Sequence, residues 1–178
     1  MDINDLGKRL KRLKAGLDDL STTASEEDTK VNQVDINGVE ALVITFGDIN
    51  EDKALNLTFS VLNQLSSLKD ILKLKLRNES QDTKLVESFI DSSESMKLVI
   101  DLVNAEKHGY PTNSNRSGKN PQIAQCWPAK DVSTNEVEIC GRVVNDKDVW
   151  IVDLEDMIQQ AVTDLEDFCV SQKLVEAL

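Results

Sequence analysis

The chain reads as an α+β protein, with a four-helix bundle-like core and a small antiparallel β-sheet or hairpins beside it. Three observations predict this. Leucine-rich segments repeat at helical spacing. An Asn-Gly pair separates two strand-like runs, and three further short apolar runs precede a last helical segment.

Ile3, Leu6, Leu10, Leu13, Leu17 and Leu20 recur three and four residues apart, which predicts a helix over 1–20 with one apolar seam. Lys8, Arg9, Lys11, Arg12 and Lys14 crowd its other sides, where they would pair with the acidic body or grip an anionic partner. The seam either packs on its own domain or joins a partner helix, which would make the chain a structural dimerisation module. Residues 21–30 are polar and unpatterned and read as a linker, leaving 31–178 as a single α+β domain.

Val31 to Phe46 predicts a hairpin, because Asn37-Gly38 supplies the positive φ angles of a type I′ turn. Its second strand is apolar on both faces from Ala41 to Ile44, which predicts a central position under a helix. Asp48 to Asp52 opens the next helix, and Leu55, Phe59, Leu62, Leu65, Ile71 and Leu72 carry it to about Leu76. Asp48, Asn50 and Asp52 resemble the start of a calcium loop, but Lys53 stands at the glycine position and Phe59 at the terminal glutamate position, so calcium is rejected.

After a break at 77–82, Leu85, Phe89, Met96, Val99, Ile100 and Val103 predict one helix over 83–107. Gly109 suits the position just past its end and Pro111 enforces the stop, so 109–120 reads as loop. Strands follow at Ile123–Trp127, Val137–Val144 and Val149–Val152, the last two joined by a turn at 145–148. Asp153, with Asp156 three residues on, begins a final helix whose apolar face is Leu154, Met157, Ile158, Ala161, Leu165, Phe168 and Cys169.

The bulk properties narrow the function. At 178 residues and 40% hydrophobic content, one core forms, and it is aliphatic because aromatics make up only 4%. A net charge of −12 disfavours RNA or nucleotide partners and repels anionic membranes. Cys126, Cys140 and Cys169 have no CxxC spacing and share one histidine, so no metal is expected, and they read as reduced thiols of a cytoplasmic protein. No leader-like start and no long apolar run appears, so no membrane association is expected. Isolated glycines build no phosphate loop and no nucleophile elbow is present, so no cofactor is expected. The acidic clusters, such as Asp18-Asp19 and Glu166-Asp167, read as solvated surface. Trp127 and Trp150 lie among apolar strand residues and read as core or edge-covering rings.

The single histidine, His108, is the candidate centre of chemistry. Imidazole titrates nearest neutrality, and a helix C-terminus favours its charged form. Asn104 lies one turn earlier on the same face, and Lys107, Tyr110, Arg116 and Lys119 supply donors for binding. The bland alternative is a histidine that caps its own helix.

Asn104-x-x-x-His108 at a helix end resembles the signature of the HEPN superfamily, helical proteins that include toxin ribonucleases and non-catalytic relatives. The family motif places an arginine before the polar residue, and Val103 stands there in this chain. The string from Asp101 to Gly109, and the strand–turn–strand–helix order that follows, also resemble bacterial proteins with an Asn-x-x-Lys-His helix end. The resemblance covers roughly 84–170 and implies a non-catalytic, HEPN-like binding or interaction protein of a prokaryotic cytoplasm, in a defence, toxin–antitoxin or mobile-element setting. The partner would be a protein or a second copy of the chain. A metal-independent ribonuclease using His108 and Asn104 is the alternative; it needs Lys107 or Arg116 in place of the missing arginine.

Overall fold

A computed structural model describes residues 5–23, 29–36, 39–46, 51–109, 115–130, 137–145 and 148–175. The element order is α1 (Asp5–Thr23), β1 (Thr29–Ile36), β2 (Val39–Phe46), α2 (Glu51–Asn78), α3 (Lys84–Ser92), α4 (Glu94–His108), β3 (Gln122–Lys130), β4 (Val137–Val144), β5 (Val149–Asp153) and α5 (Leu154–Ser171). The protein is therefore α+β, as the sequence predicts. No helix among the described residues is long and apolar enough to cross a membrane.

Helices α1, α2, α4 and α5 pack in a ring, α1 against α2, α2 against α4, α4 against α5 and α5 against α1. Its interior is aliphatic: Leu62, Leu65 and Leu72 from α2, Val99 and Val103 from α4, and Ile158 and Ala161 from α5 are all fully buried. Gly16 lies against Val61 and Gln64, while Arg9 lies beside Leu68, so α1 and α2 run antiparallel. An ion pair of 2.8 Å between Lys14 and Glu166 joins α1 to α5.

The leucine seam of α1 is the first point on which the structure decides between alternatives. Leu6, Leu10, Leu13, Leu17 and Leu20 are at most 5% exposed and belong to the same core as α2, α4 and α5. The seam is thus buried within the chain, the first of the two packings that its spacing allows. Burial inside the chain removes the apolar surface of these five leucines from water. α1 runs on to Thr23, so residues 21–23 of the expected linker are helical, and the helix packs against α2, α5 and β4. Ile3 and residues 24–28 of the expected linker lie outside the described residues.

The helix expected over 83–107 is two helices. Ser93 breaks it with φ −98° and ψ 116°, and its hydroxyl accepts the Met96 N–H at 3.0 Å as the N-cap of α4. The same hydroxyl donates to the Asp164 carboxylate on α5. Short polar side chains compete with the helix for backbone partners, and Ser92-Ser93 sits where that competition wins. At the other end, Gly109 takes φ 71° and donates its N–H to the Glu106 carbonyl, which closes α4 in the left-handed conformation that glycine favours.

β1 and β2 pair antiparallel from Thr29↔Phe46 to Ile36↔Val39, the register that a two-residue Asn37-Gly38 connection requires. These two turn residues lie outside the described set. The pair forms a two-stranded sheet of its own, in which β2 has one neighbour, so the expected central position of β2 is corrected. β3, β4 and β5 form a separate antiparallel sheet in that order, with a bulge at Ala124 in β3. Its β3 packs on α2 and α4, and its β4 on α5 and α1. Cys126, Ile139 and Val143 face the helices and are buried. Thr58 of α2 contacts Cys126 of β3, oxygen to sulfur, at 3.6 Å.

Gly141 of β4 is where sheet and bundle meet most closely. A Cβ there would lie 2.5 Å from Leu154 Cδ1, so only glycine admits the fully buried Leu154 at the start of α5. The turn before β5 is closed by the Asn145 N–H to the Asp148 carbonyl (3.0 Å) and by the Asp148 N–H to the Asn145 side chain (2.6 Å). Asp153 caps α5, accepting the Asp156 N–H at 3.0 Å, as its spacing predicts.

Candidate functional site

The last two turns of α4 present the motif residues from a fixed platform. Val99, Ile100, Leu102, Val103 and Ala105 are buried, so the helix cannot roll without opening the core. Asn104 is half-buried, while Lys107 and His108 are exposed at the tip. The negative end of the helix dipole lies there, so cationic side chains are favoured. Val103, at the position of the motif's arginine, points into the core at 0% exposure. Tyr110 lies outside the described residues.

The other proposed binding residues, Arg116 and Lys119, sit on the loop that follows α4. Asp101 is 3% exposed, and its carboxylate accepts the backbone N–H of Arg116 at 2.9 Å and of Ser117 at 2.7 Å. This carboxylate pins the loop seven residues before His108, about 10 Å along the helix axis at 1.5 Å per residue. The Arg116 guanidinium turns away to α3, where it pairs with Glu87 and, at 2.7 Å, with Asp91. Lys73 of α2 also pairs with Glu87. Lys119 lies further towards the start of α4, lining a hollow of 120 Å³ with Glu94, Ser95, Leu98, Ser117 and Met157. The structure therefore brings Asn104, Lys107 and His108 to one helix end and leaves Arg116 and Lys119 beside the opposite half of the helix.

Among the described residues, the α4 tip offers the Lys107 ammonium, the His108 imidazole and the Asn104 carboxamide, which can donate and, for the last two, accept hydrogen bonds. Phosphodiester cleavage needs a cation at the phosphate besides the imidazole. Arg116 is already engaged by two carboxylates and by the Asp101 anchor. Among the described residues, no group of three or more His, Cys, Asp or Glu side chains could hold a metal ion. The three cysteines are free thiols. Burial pushes the Cys169 thiol up to about 12 and raises that of Cys126, so both are inert as nucleophiles near neutral pH.

Two features escaped the sequence reading. Asp101 was visible only as part of a motif string. Its signal is an acidic residue on the apolar stripe of a helix, a position that demands a donor. The Lys73–Glu87–Arg116–Asp91 network joins residues far apart in sequence, and no local pattern announces it.

Glu87 makes this network sensitive to acid. Burial pushes its carboxyl up, but the hydrogen bonds and charges of Lys73 and Arg116 outweigh that and hold it below its ordinary value of 4.5. A carboxyl depressed in the fold stabilises it above the unfolded value and loses that contribution as pH falls through the folded one. Denaturation midpoints of wild type and Glu87→Gln should therefore differ at pH 7 and converge below pH 4.5. A gap that stays constant down to pH 3 would show that the carboxylate's charge is not what joins loop and helices.

Comparison with known family models, curated proteins and solved structures finds no match to this chain.

Proposed function

We propose that the chain is a non-catalytic, HEPN-like binding protein that offers the α4 tip, Lys107 and His108 with Asn104 behind them, to a protein or nucleotide partner. One observation carries the reading: two exposed donors project from the end of a helix whose remaining turns are locked in the core. A rigid platform lowers the ordering cost of association. The burial of Val103 and the pairing of Arg116 favour binding over cleavage. The prokaryotic cytoplasm and the defence, toxin–antitoxin or mobile-element setting belong to the same proposal and rest on the motif.

The test compares wild type with Lys107→Ala/His108→Ala, both verified as folded by circular dichroism. Affinity capture from the native host's extract, read by mass spectrometry, should recover a partner that the variant loses. Recovery of the same set by both proteins would overturn the assignment of the tip. RNA cleavage with chelator present, abolished by His108→Ala, would replace it with the ribonuclease reading.

A further inference from the structure

The three-stranded sheet has two outer strands, β3 and β5, and the sequence treats them differently. An outer strand presents a row of backbone N–H and C=O groups to any extended chain that comes near, and proteins blunt such edges with prolines, bulges or charges. β3 carries two of these devices: Pro128, which has no N–H to donate, and the bulge at Ala124. β5 carries neither. Its run Val149-Trp150-Ile151-Val152 is uncharged and lacks proline, and it pairs with β4 without interruption from Cys140↔Asp153 to Val144↔Val149. Among the described residues, no strand pairs with its other side.

The side chains of β5 alternate as those of a strand with one wet face do. Trp150 and Val152 pack against the core, while Val149 and Ile151 are each 60% exposed. Two aliphatic side chains thus stand on the outer face of a regular edge whose inward neighbours tie it to the body of the protein.

Length and charge select the occupant. β5 has 5 residues, about 17 Å of strand. A strip of that length falls well short of the roughly 800 Å² per partner that a stable globular interface buries, so it suits an extended segment better than a second copy of the chain. Asp148 is exposed at one end of the apolar run, Asp153 and the exposed Asp156 stand at the other, and the net charge of the chain is −12. Asp153 gives one carboxylate oxygen to the α5 cap, so Asp148, Asp156 and the overall field supply most of the attraction for a cation. Arg142 of β4, opposite Ile151, donates to Gln125 of β3 at 3.2 Å, on the side away from the open edge.

We propose that β5 is a docking edge for an extended basic segment of a partner protein. The segment adds as a fourth strand, lays two alternating apolar side chains beside Val149 and Ile151, and carries lysine or arginine at its ends. Backbone hydrogen bonds supply the affinity, the alternate side chains supply the selectivity, and the cationic ends steer the encounter. The edge is separate from the α4 tip, and its success or failure leaves that reading untouched.

Fluorescence anisotropy of a labelled, end-blocked Lys-Thr-Val-Thr-Val-Lys peptide, titrated with the full chain at low ionic strength, tests this. Saturable binding is expected below about 1 mM. Lys-Thr-Val-Val-Thr-Lys, which puts its valines on opposite faces, and Glu-Thr-Val-Thr-Val-Glu should each bind about tenfold more weakly. Ile151→Lys and Val149→Lys, both at exposed positions, should keep the wild-type thermal melt and weaken the first peptide about tenfold. Methylating alternate backbone amides of the peptide should abolish binding for one alternate set and spare the other, since every second N–H of an antiparallel strand faces its neighbour. Absence of saturable binding, the same response to both methylated sets, or affinity indifferent to Ile151→Lys would overturn the edge. A glutamate-flanked peptide that binds equally well would overturn the basic partner. A wild-type dimer in sedimentation that Ile151→Lys splits into folded monomers would give the edge to a second copy of the chain and overturn the proposed occupant.

Discussion

Replacing Leu10 and Leu13 together by alanine should unfold the protein, not split a dimer. Both side chains are 0% exposed and sit in the core that α1 shares with α2, α4 and α5. Truncating a buried leucine costs about 2–5 kcal/mol through lost transfer energy and the cavity left behind. The two losses together come to roughly 4–10 kcal/mol, allowing for coupling between neighbours. That rivals the whole stability of a domain, about 5–15 kcal/mol. Thermal melting by circular dichroism should show the cooperative transition lost or moved far down. Sedimentation should show an expanded monomer. A compact monomer with an unchanged melt, derived from a wild-type dimer, would mean that the seam belongs between chains and that its packing against α2 and α5 is wrong.

The same residues show what could be read in advance. The seam of α1 was legible because leucine spacing reports a helix whatever covers it; what covers it is a tertiary fact, and spacing is silent on it. Asp153 and Asp156 announced the start of α5 because a cap acts over three residues. The Asn-Gly pair at 37–38 likewise predicts a two-residue connection, and the register of β1 and β2 has that spacing. Ser93 was overlooked because the apolar period of Phe89, Met96 and Val103 runs straight across it, while the cap that divides the helix depends on one hydroxyl and is fixed further by Asp164, 71 residues away. The site was legible to the same degree. Asn104, Lys107 and His108 share a helix end because they are close in sequence. Arg116 and Lys119 were grouped with them by proximity along the chain, yet Asp101 draws their loop back towards the start of α4. The strand order was also beyond reach: nothing in Val31–Phe46 states whether it joins β3–β5 or pairs with itself.

That anchoring carboxylate gives the second large effect. Asp101→Ala should release the 115–120 loop and lower stability by about 2–4 kcal/mol, since hydrogen bonds to a charged group contribute about 1.5–3 kcal/mol each and water can reach the half-buried loop amides once the anchor is gone. Asp101→Asn should fall between, because a carboxamide oxygen can keep one amide while its NH₂ confronts the other. Hydrogen exchange reads the effect where it arises: the Arg116 and Ser117 amides, bonded at 2.9 and 2.7 Å, should lose protection while Val99 and Val103 keep theirs. Unchanged protection at these two amides in Asp101→Ala would rule out the anchor. Arg116 reaches Glu87 and Asp91 only while the loop is docked, so Glu87→Gln should cost less in the Asp101→Ala background than in wild type. The variant also separates the two halves of α4 functionally. It frees the loop that carries Arg116 and Lys119 but leaves the helix end that carries Lys107 and His108 in place, so a partner that recognises the tip alone should still be captured by Asp101→Ala.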